Sequence, residues 1–333
     1  MIKSLQSLRF LFALLIFLHH SAIPLLAFGT CPVSFFLMLS GFVLMLVYGE
    51  RIYQIKYNEF IGKRLLRIYP THFLCLLIAV TISFLFNELS QDCIIPLVTN
   101  TILLQAWVPS AEFYFSGNSV SWYLSVMLFC YCIFPWLVYM IQKHCWLLIC
   151  MVLLGYFTLL FCAPTDNSHF LLYINPLARF TDFLWGMILC FVLNKNNELI
   201  VEKIKRLSTF HKTLIEFLAV LFIALTILIS VSINEKYAYA IIWWIPCALL
   251  ITVFYLFDNN GGVLSKVLNN KGLVSLGSVS FAFYMLHIQV LRINNYVMNS
   301  LYLNYYMDGI IVLSALIGLS YCVTYLYAPI FKK

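Results

Sequence analysis

CIIPLVTNTILLQAWVP, residues 93–109, is the stretch on which the topology of this chain turns. It is apolar, but it is short, it carries Pro96, Thr99, Asn100 and Thr101, and it stops at Pro109. Longer apolar runs lie on both sides of it, at 8–27, 31–49, 69–87, 120–141, 146–163, 173–193, 213–232, 238–257, 276–298 and 307–330. Each is near the roughly 20 residues that carry a helix across a hydrocarbon core of about 30 Å. If 93–108 also crossed, every later loop would change sides. The basic residues decide the matter, because loops on the cytoplasmic side accumulate Lys and Arg. With 93–108 read as an outer, non-spanning segment and the N-terminus inside, 17 of the 20 Lys and Arg fall on one side. They are Lys3 and Arg9; Arg51, Lys56, Lys63, Arg64 and Arg67; Lys143; Lys195, Lys203, Lys205, Arg206 and Lys212; Lys266 and Lys271; Lys332 and Lys333. Only Lys236 is left in an outer loop, and Arg179 and Arg292 fall within or near spans. The expectation is an all-α membrane protein, a polytopic bundle of about ten transmembrane helices with both termini cytoplasmic.

Composition points the same way. The chain is 63% hydrophobic and 10% charged, against roughly 25% charged for a soluble domain. No stretch long enough for a separate soluble domain lacks an apolar run, so residues 1–333 read as a single transmembrane domain. The net charge of +7 follows from membrane orientation, and no basic stripe with interleaved surface aromatics argues for nucleic acid. The first apolar run is too long for a signal-peptide core and no A-x-A site follows it, so it reads as a retained anchor. The eleven cysteines lie mostly inside spans, without a C-x-x-C pair, and read as small apolar residues; no metal site is expected.

Ionisable side chains inside a membrane are costly unless paired or used. Those in or near the spans are Arg9, His19, His20, Arg179, Asp182, Glu216, His287 and Arg292. In LRFLFALLIFLHH, residues 8–20, Arg9 and His20 are eleven positions apart. On an α-helix that is about 20° from a common face and about 16 Å along the axis. His19 points about 100° away from His20. In SVSFAFYMLH, residues 278–287, His287 lies at about the depth of His20 on a helix entering from the same side. Two such histidines can line one polar cavity if their helices are neighbours. In RLLRIYP, residues 64–70, Arg64 and Arg67 are one turn apart on one face. Such a pair suits bidentate binding of phosphates, and also simple anchoring at the inner surface.

Taken in order, these segments resemble the acyltransferase 3 family of bacterial membrane-bound O-acyltransferases. LRF through His20 resembles the family's first-helix motif, a basic residue followed after ten positions by histidine. SFFLMLSGFVL (34–44) resembles its second-helix signature, and RLLRIYP its R-x-x-R-I-Y-P element. RFTDFLWGM (179–187) is similar to a later helix start, and SFAFYMLH (280–287) to the late Y-x-L-H helix. The resemblance runs over 8–290 and is to members without an appended extracytoplasmic domain. Many members carry W-S-L-x-x-E near the fourth span; here SWYLSVM (121–127) has Met127 where the Glu would fall.

The resemblance implies a reaction. An acyl group passes from cytoplasmic acetyl-CoA or another acyl-CoA, with no further cofactor, to a hydroxyl of a cell-envelope polysaccharide or its lipid-linked precursor. An O-antigen lipopolysaccharide in the bacterial inner membrane is the type of acceptor and setting. His20 would be the general base, Arg9 would orient the thioester or stabilise charge near it, Arg64 and Arg67 would hold CoA phosphates, and His287 would position the acceptor or stabilise charge. Partners would be acyl-CoA, the glycan or lipid-linked sugar and membrane lipid. Without the resemblance, the same in-membrane charges and basic inner loops also fit a transporter or flippase of a lipid-linked sugar, or a structural subunit of a polysaccharide assembly.

Overall fold

The computed structural model describes residues 2–21, 29–195, 202–301 and 305–332. Among the described residues the chain is helical throughout, without a strand. The principal helices are α1 (Lys3–His20), α2 (Thr30–Tyr48), α3 (Tyr57–Leu85), α4 (Ile94–Thr101), α5 (Ala111–Tyr114) and α6 (Trp122–Cys162). They continue with α7 (Pro176–Lys195), α8 (Thr209–Ser230), α9 (Trp244–Leu256), α10 (Val263–Leu268), α11 (Lys271–Leu301) and α12 (Tyr305–Cys322). Among the described residues seven helices are long and apolar enough to cross a membrane: α2, α3, α6, α7, α8, α11 and the run Gly309–Phe331, which contains most of α12. α9, with the turn before it, forms a shorter apolar helix, Ile241–Leu256. The expected first span, 8–27, coincides with α1 as far as His20; its residues 22–27 lie outside the described residues, as does Lys333.

α6 covers two expected spans, 120–141 and 146–163. As one straight rod of 41 residues it would measure about 60 Å, twice the hydrocarbon thickness. The backbone leaves helical geometry at His144 (φ −137°, ψ 40°), and the two ends of α6 come back to one place. The Trp122 ring lies 5.0 Å from Tyr173, whose ring is 5.6 Å from Tyr239. The carbonyl of Ala163 accepts a hydrogen bond from Lys236, three residues before Tyr239. The helix therefore doubles back at His144.

The 88–119 segment holds no helix long enough to span. α4 has 8 residues, about 12 Å of rise. The segment instead packs into the bundle through buried polar side chains. The Asn100 carbonyl accepts from His72 of α3 (3.1 Å), and Gly117, at φ +57°, turns the chain so that Asn118 donates to the Met285 carbonyl of α11 (2.8 Å).

Helices in lipid associate through close packing, since lipid tails are as apolar as the side chains. Three glycines permit that approach. A Cβ on Gly41 would lie 1.9 Å from the Phe183 carbonyl oxygen, and one on Gly186 would lie 1.8 Å from that of Met38, so α2 and α7 meet backbone to backbone. A Cβ on Gly277 would lie 2.0 Å from the Gln6 carbonyl oxygen, which sets α1 against α11. These two run parallel: Gln6 donates to the Val274 carbonyl (2.9 Å), Phe10 and Phe17 pack on Phe283, and His20 meets His287.

Candidate active site

Several of the in-membrane ionisable groups have a structural partner. Arg179 and Asp182, on successive turns of α7, form a fully buried ion pair at 3.0 Å. Arg179 also donates to the Tyr239 carbonyl (2.7 Å) and to Ser34 (3.2 Å), and Trp244 donates to Asp182 (2.7 Å). The group thus ties α7 to α2 and α9. Glu216 of α8 caps α10, accepting from the Gly262 and Leu264 amides (2.7 and 2.9 Å) and from Ser265 (2.6 Å). A carboxylate suits those unsatisfied N–H groups and the helix dipole. Arg292 pairs with Glu88 and donates to Ser83 (3.1 Å), linking α11 to the end of α3. Asp258 caps α1 in the same manner, accepting from the Ser4 amide and hydroxyl, each at 2.8 Å.

The residues left over are Arg9, the paired histidines and the basic pair on α3. Arg9 and the basic pair line one cavity of about 710 Å³, which reaches Ile16 and Tyr284, one turn before His20 and His287, without either histidine lining it. It lies between α1, α2, α3, α6 and α11, and Thr324 and Ala328 border it near the C-terminus. Among the described residues four cations, Arg9, Lys63, Arg64 and Arg67, line it and no carboxylate does. Lys63 is bonded to Glu59 at 2.6 Å on the exposed face of α3. Arg64 is held in place: its guanidinium donates to the Tyr48 hydroxyl (2.7 Å) and sits 4.9 Å from that ring and 5.8 Å from Phe60. A cavity lined this way attracts a polyanion. Met127, where the family resemblance would place a Glu, is buried and also lines it.

The inner end of the cavity is lined by Ile16, Val33, Phe36, Tyr123 and Tyr284. Ile16 is one turn before His20, and Tyr284 one turn before His287. The two imidazoles face each other, with His287 Nε2 at 3.1 Å from His20 Nδ1. His287 is fully buried, whereas His20 keeps an exposed side. α11 runs 14 residues past His287, about 21 Å, whereas His20 is the last residue of α1.

The acceptors fix the hydrogens. His287 Nδ1 faces the Tyr284 carbonyl, which only accepts, so that nitrogen carries the proton. In the neutral ring His287 Nε2 then presents a lone pair to His20 Nδ1. His20 Nδ1 also faces the Ile16 carbonyl at 3.0 Å. Both neighbours of His20 Nδ1 accept, so it too is protonated, and the lone pair of His20 falls on Nε2. The relay from the Tyr284 carbonyl through His287 thus presents His20 Nε2 as a base. His19 lies elsewhere, with its ring against Gly29. Helical spacing in the sequence aligned Arg9 with His20; the His20–His287 contact, between residues 267 positions apart, had no signal there beyond matching depth.

A family model described as "Acyltransferase domain" matches residues 2–328. The chain is also similar to "Acyltransferase MdmB" of Streptomyces mycarofaciens, 26% identical over 328 residues, covering 87% of this chain and 79% of that protein. No solved structure matches.

Proposed function

Starting from the fact that this chain belongs to the acyltransferase family whose domain model covers nearly all of it, we propose that it is an O-acyltransferase of the bacterial inner membrane. It takes an acyl group from acyl-CoA on the cytoplasmic side and passes it to a hydroxyl of a cell-envelope polysaccharide or its lipid-linked precursor. One observation carries the reading: a cavity lined, among the described residues, by four cations and no acid reaches Ile16 and Tyr284, each one turn before a member of the His20–His287 pair. The phosphates of CoA match the Arg64 and Arg67 end. The pantetheine arm matches the apolar walls of α2, α3 and α6, which include Val43, Leu44 and Ile68.

In the reaction, His20 Nε2 takes the proton of the acceptor hydroxyl as its oxygen attacks the thioester carbonyl. The C–S bond breaks, the new C–O ester bond forms, and the histidine proton passes to the departing thiolate, giving the O-acyl product and CoA. An imidazole, with an unperturbed pKa of about 6.5, suits both halves of that transfer at neutral pH. Arg9 stabilises the negative charge that develops near the thioester. His287, whose two nitrogens face Tyr284 and His20, acts through His20 and holds it in the productive tautomer.

The donor assignment is tested by acyl-CoA binding to purified protein in detergent. Arg64→Lys and Arg67→Lys keep the charge but lose the planar fork. Each is expected to weaken affinity about tenfold, the size of one charge-assisted hydrogen bond. Unchanged affinity in both would return the pair to a purely topological role. The orientation has its own test. Ten spans with both termini inside place Lys333 in the cytoplasm, and a reporter fused there is expected to read cytoplasmic; a periplasmic signal would invert the topology.

A further inference from the structure

We propose that Phe115, His169 and Tyr173 form a sugar-stacking subsite that receives the acceptor from the membrane face opposite the basic pair. On the acyl-transfer reading above, on which this inference rests, the ligand is a glycan. The two faces are marked by the ends of α2. Arg64 donates to the hydroxyl of Tyr48, the last residue of that helix. Tyr173 donates to the carbonyl of Gly29, which precedes its first residue, at 3.4 Å. The 19 residues of α2 rise about 28 Å, close to one hydrocarbon thickness. His20 lies toward the Gly29 face. It is the last residue of α1, its ring is 5.2 Å from that of His19, and the His19 ring lies against Gly29.

Segments distant in sequence converge on this face. The His169 ring lies 6.1 Å from Tyr114, 6.2 Å from Phe115, 5.3 Å from Tyr173 and 5.7 Å from Tyr239. A lipid-facing aromatic belt spreads its rings outward along the interface; these turn on one another around His169. Tyr114 and Tyr239 are buried, whereas Phe115 is 41% exposed and His169 and Tyr173 are half-buried. Among the described residues neither nitrogen of the His169 ring has a hydrogen-bond partner. Open rings beside free polar atoms suit a pyranose, whose C–H face packs on the electron-rich rings while its hydroxyls take the polar atoms. Charge separates this ligand from the donor. Glu235 is exposed and accepts from the Tyr239 hydroxyl at 3.0 Å, and exposed Glu112 and Asp166 come one turn before Phe115 and His169. Lys236 is bonded to the Ala163 carbonyl. A polyphosphate is repelled here and drawn to the cavity of four cations, whereas an uncharged, hydroxyl-rich ligand is not repelled.

The test uses glycan and lipid-linked sugar extracted from producing cells that lack the gene, so that the material is unacylated. Its equilibrium binding to protein purified in detergent is measured without acyl-CoA. Phe115→Ala is expected to weaken glycan affinity about tenfold, the size of one ring contact, and His169→Ala by at least as much. Phe115→Tyr keeps the stacking face and should keep wild-type affinity. In transfer assays both alanine variants should raise the KM for the glycan and leave the KM for acetyl-CoA unchanged, a split that general unfolding does not produce. Wild-type glycan affinity in both alanine variants overturns the proposal. So does a wild type that binds no glycan, or an equal rise in the two KM values. A wild type that binds glycan through these rings but transfers from no acyl-CoA would support the subsite while removing the acyl-CoA reading.

Discussion

His20→Ala is expected to lower acyl transfer by about 10²- to 10⁴-fold, the range a positioned general base contributes. The protein should still insert, because His20 is the last residue of α1 and keeps an exposed side. The packing of α1 rests instead on Leu5, Leu8, Phe12, Ala13 and Ile16, which are buried. His19→Ala is the control. Its ring lies against Gly29 and edge-on to His20 at 5.2 Å, and most activity should survive its loss. The measurement is O-acyl content of the surface glycan together with thiol release from acetyl-CoA in membranes. Wild-type transfer by the His20 variant would sink the base assignment. Equal loss in both variants would point to packing of the α1 end in place of proton transfer.

Asp182→Ala should prevent stable accumulation of the protein. The change leaves the Arg179 guanidinium, fully buried, without its counter-charge, and breaking a buried pair in this way costs about 3–5 kcal/mol. That is a large share of a total stability of about 5–15 kcal/mol. The Tyr239 carbonyl and Ser34 contacts cannot replace the charge, and the Trp244 N–H loses its acceptor as well. Removing both charges together is different, because a buried pair gains little net stability over well-packed apolar residues. Arg179→Met combined with Asp182→Leu should therefore melt higher in detergent than either single variant. A double variant no more stable than Asp182→Ala would show that the hydrogen bonds of the group, and not its charge balance, hold α7 to α2 and α9.

Much of the fold was open to sequence reasoning because the membrane imposes one-dimensional rules. Apolar length marks helices that must satisfy their own backbone groups, and the Lys and Arg distribution argued that 93–108 does not span, where the structure has the eight-residue α4. The break inside α6 was legible as two spans, although the fold needs only His144 to turn the chain. Glu216 shows where such rules stop. Read along the chain it is a charge at a span start; only the fold brings it to the Gly262 and Leu264 amides, 46 and 48 residues away, as the cap of another helix.

The sequence by itself determined the class of the molecule, the common face of Arg9 and His20 and that of Arg64 and Arg67, because hydropathy and the 100° helical step are properties of a single helix. The tertiary structure alone decided that α1 and α11 are neighbours, that His287 Nε2 meets His20 Nδ1, and that Arg9, Arg64 and Arg67 open into one cavity. The physical reason lies in how helices choose partners in lipid. Without a hydrophobic force between them, adjacency is set by where backbones can approach. For α1 and α11 that point is Gly277 against the Gln6 carbonyl, a fit between residues 271 positions apart that no local spacing records.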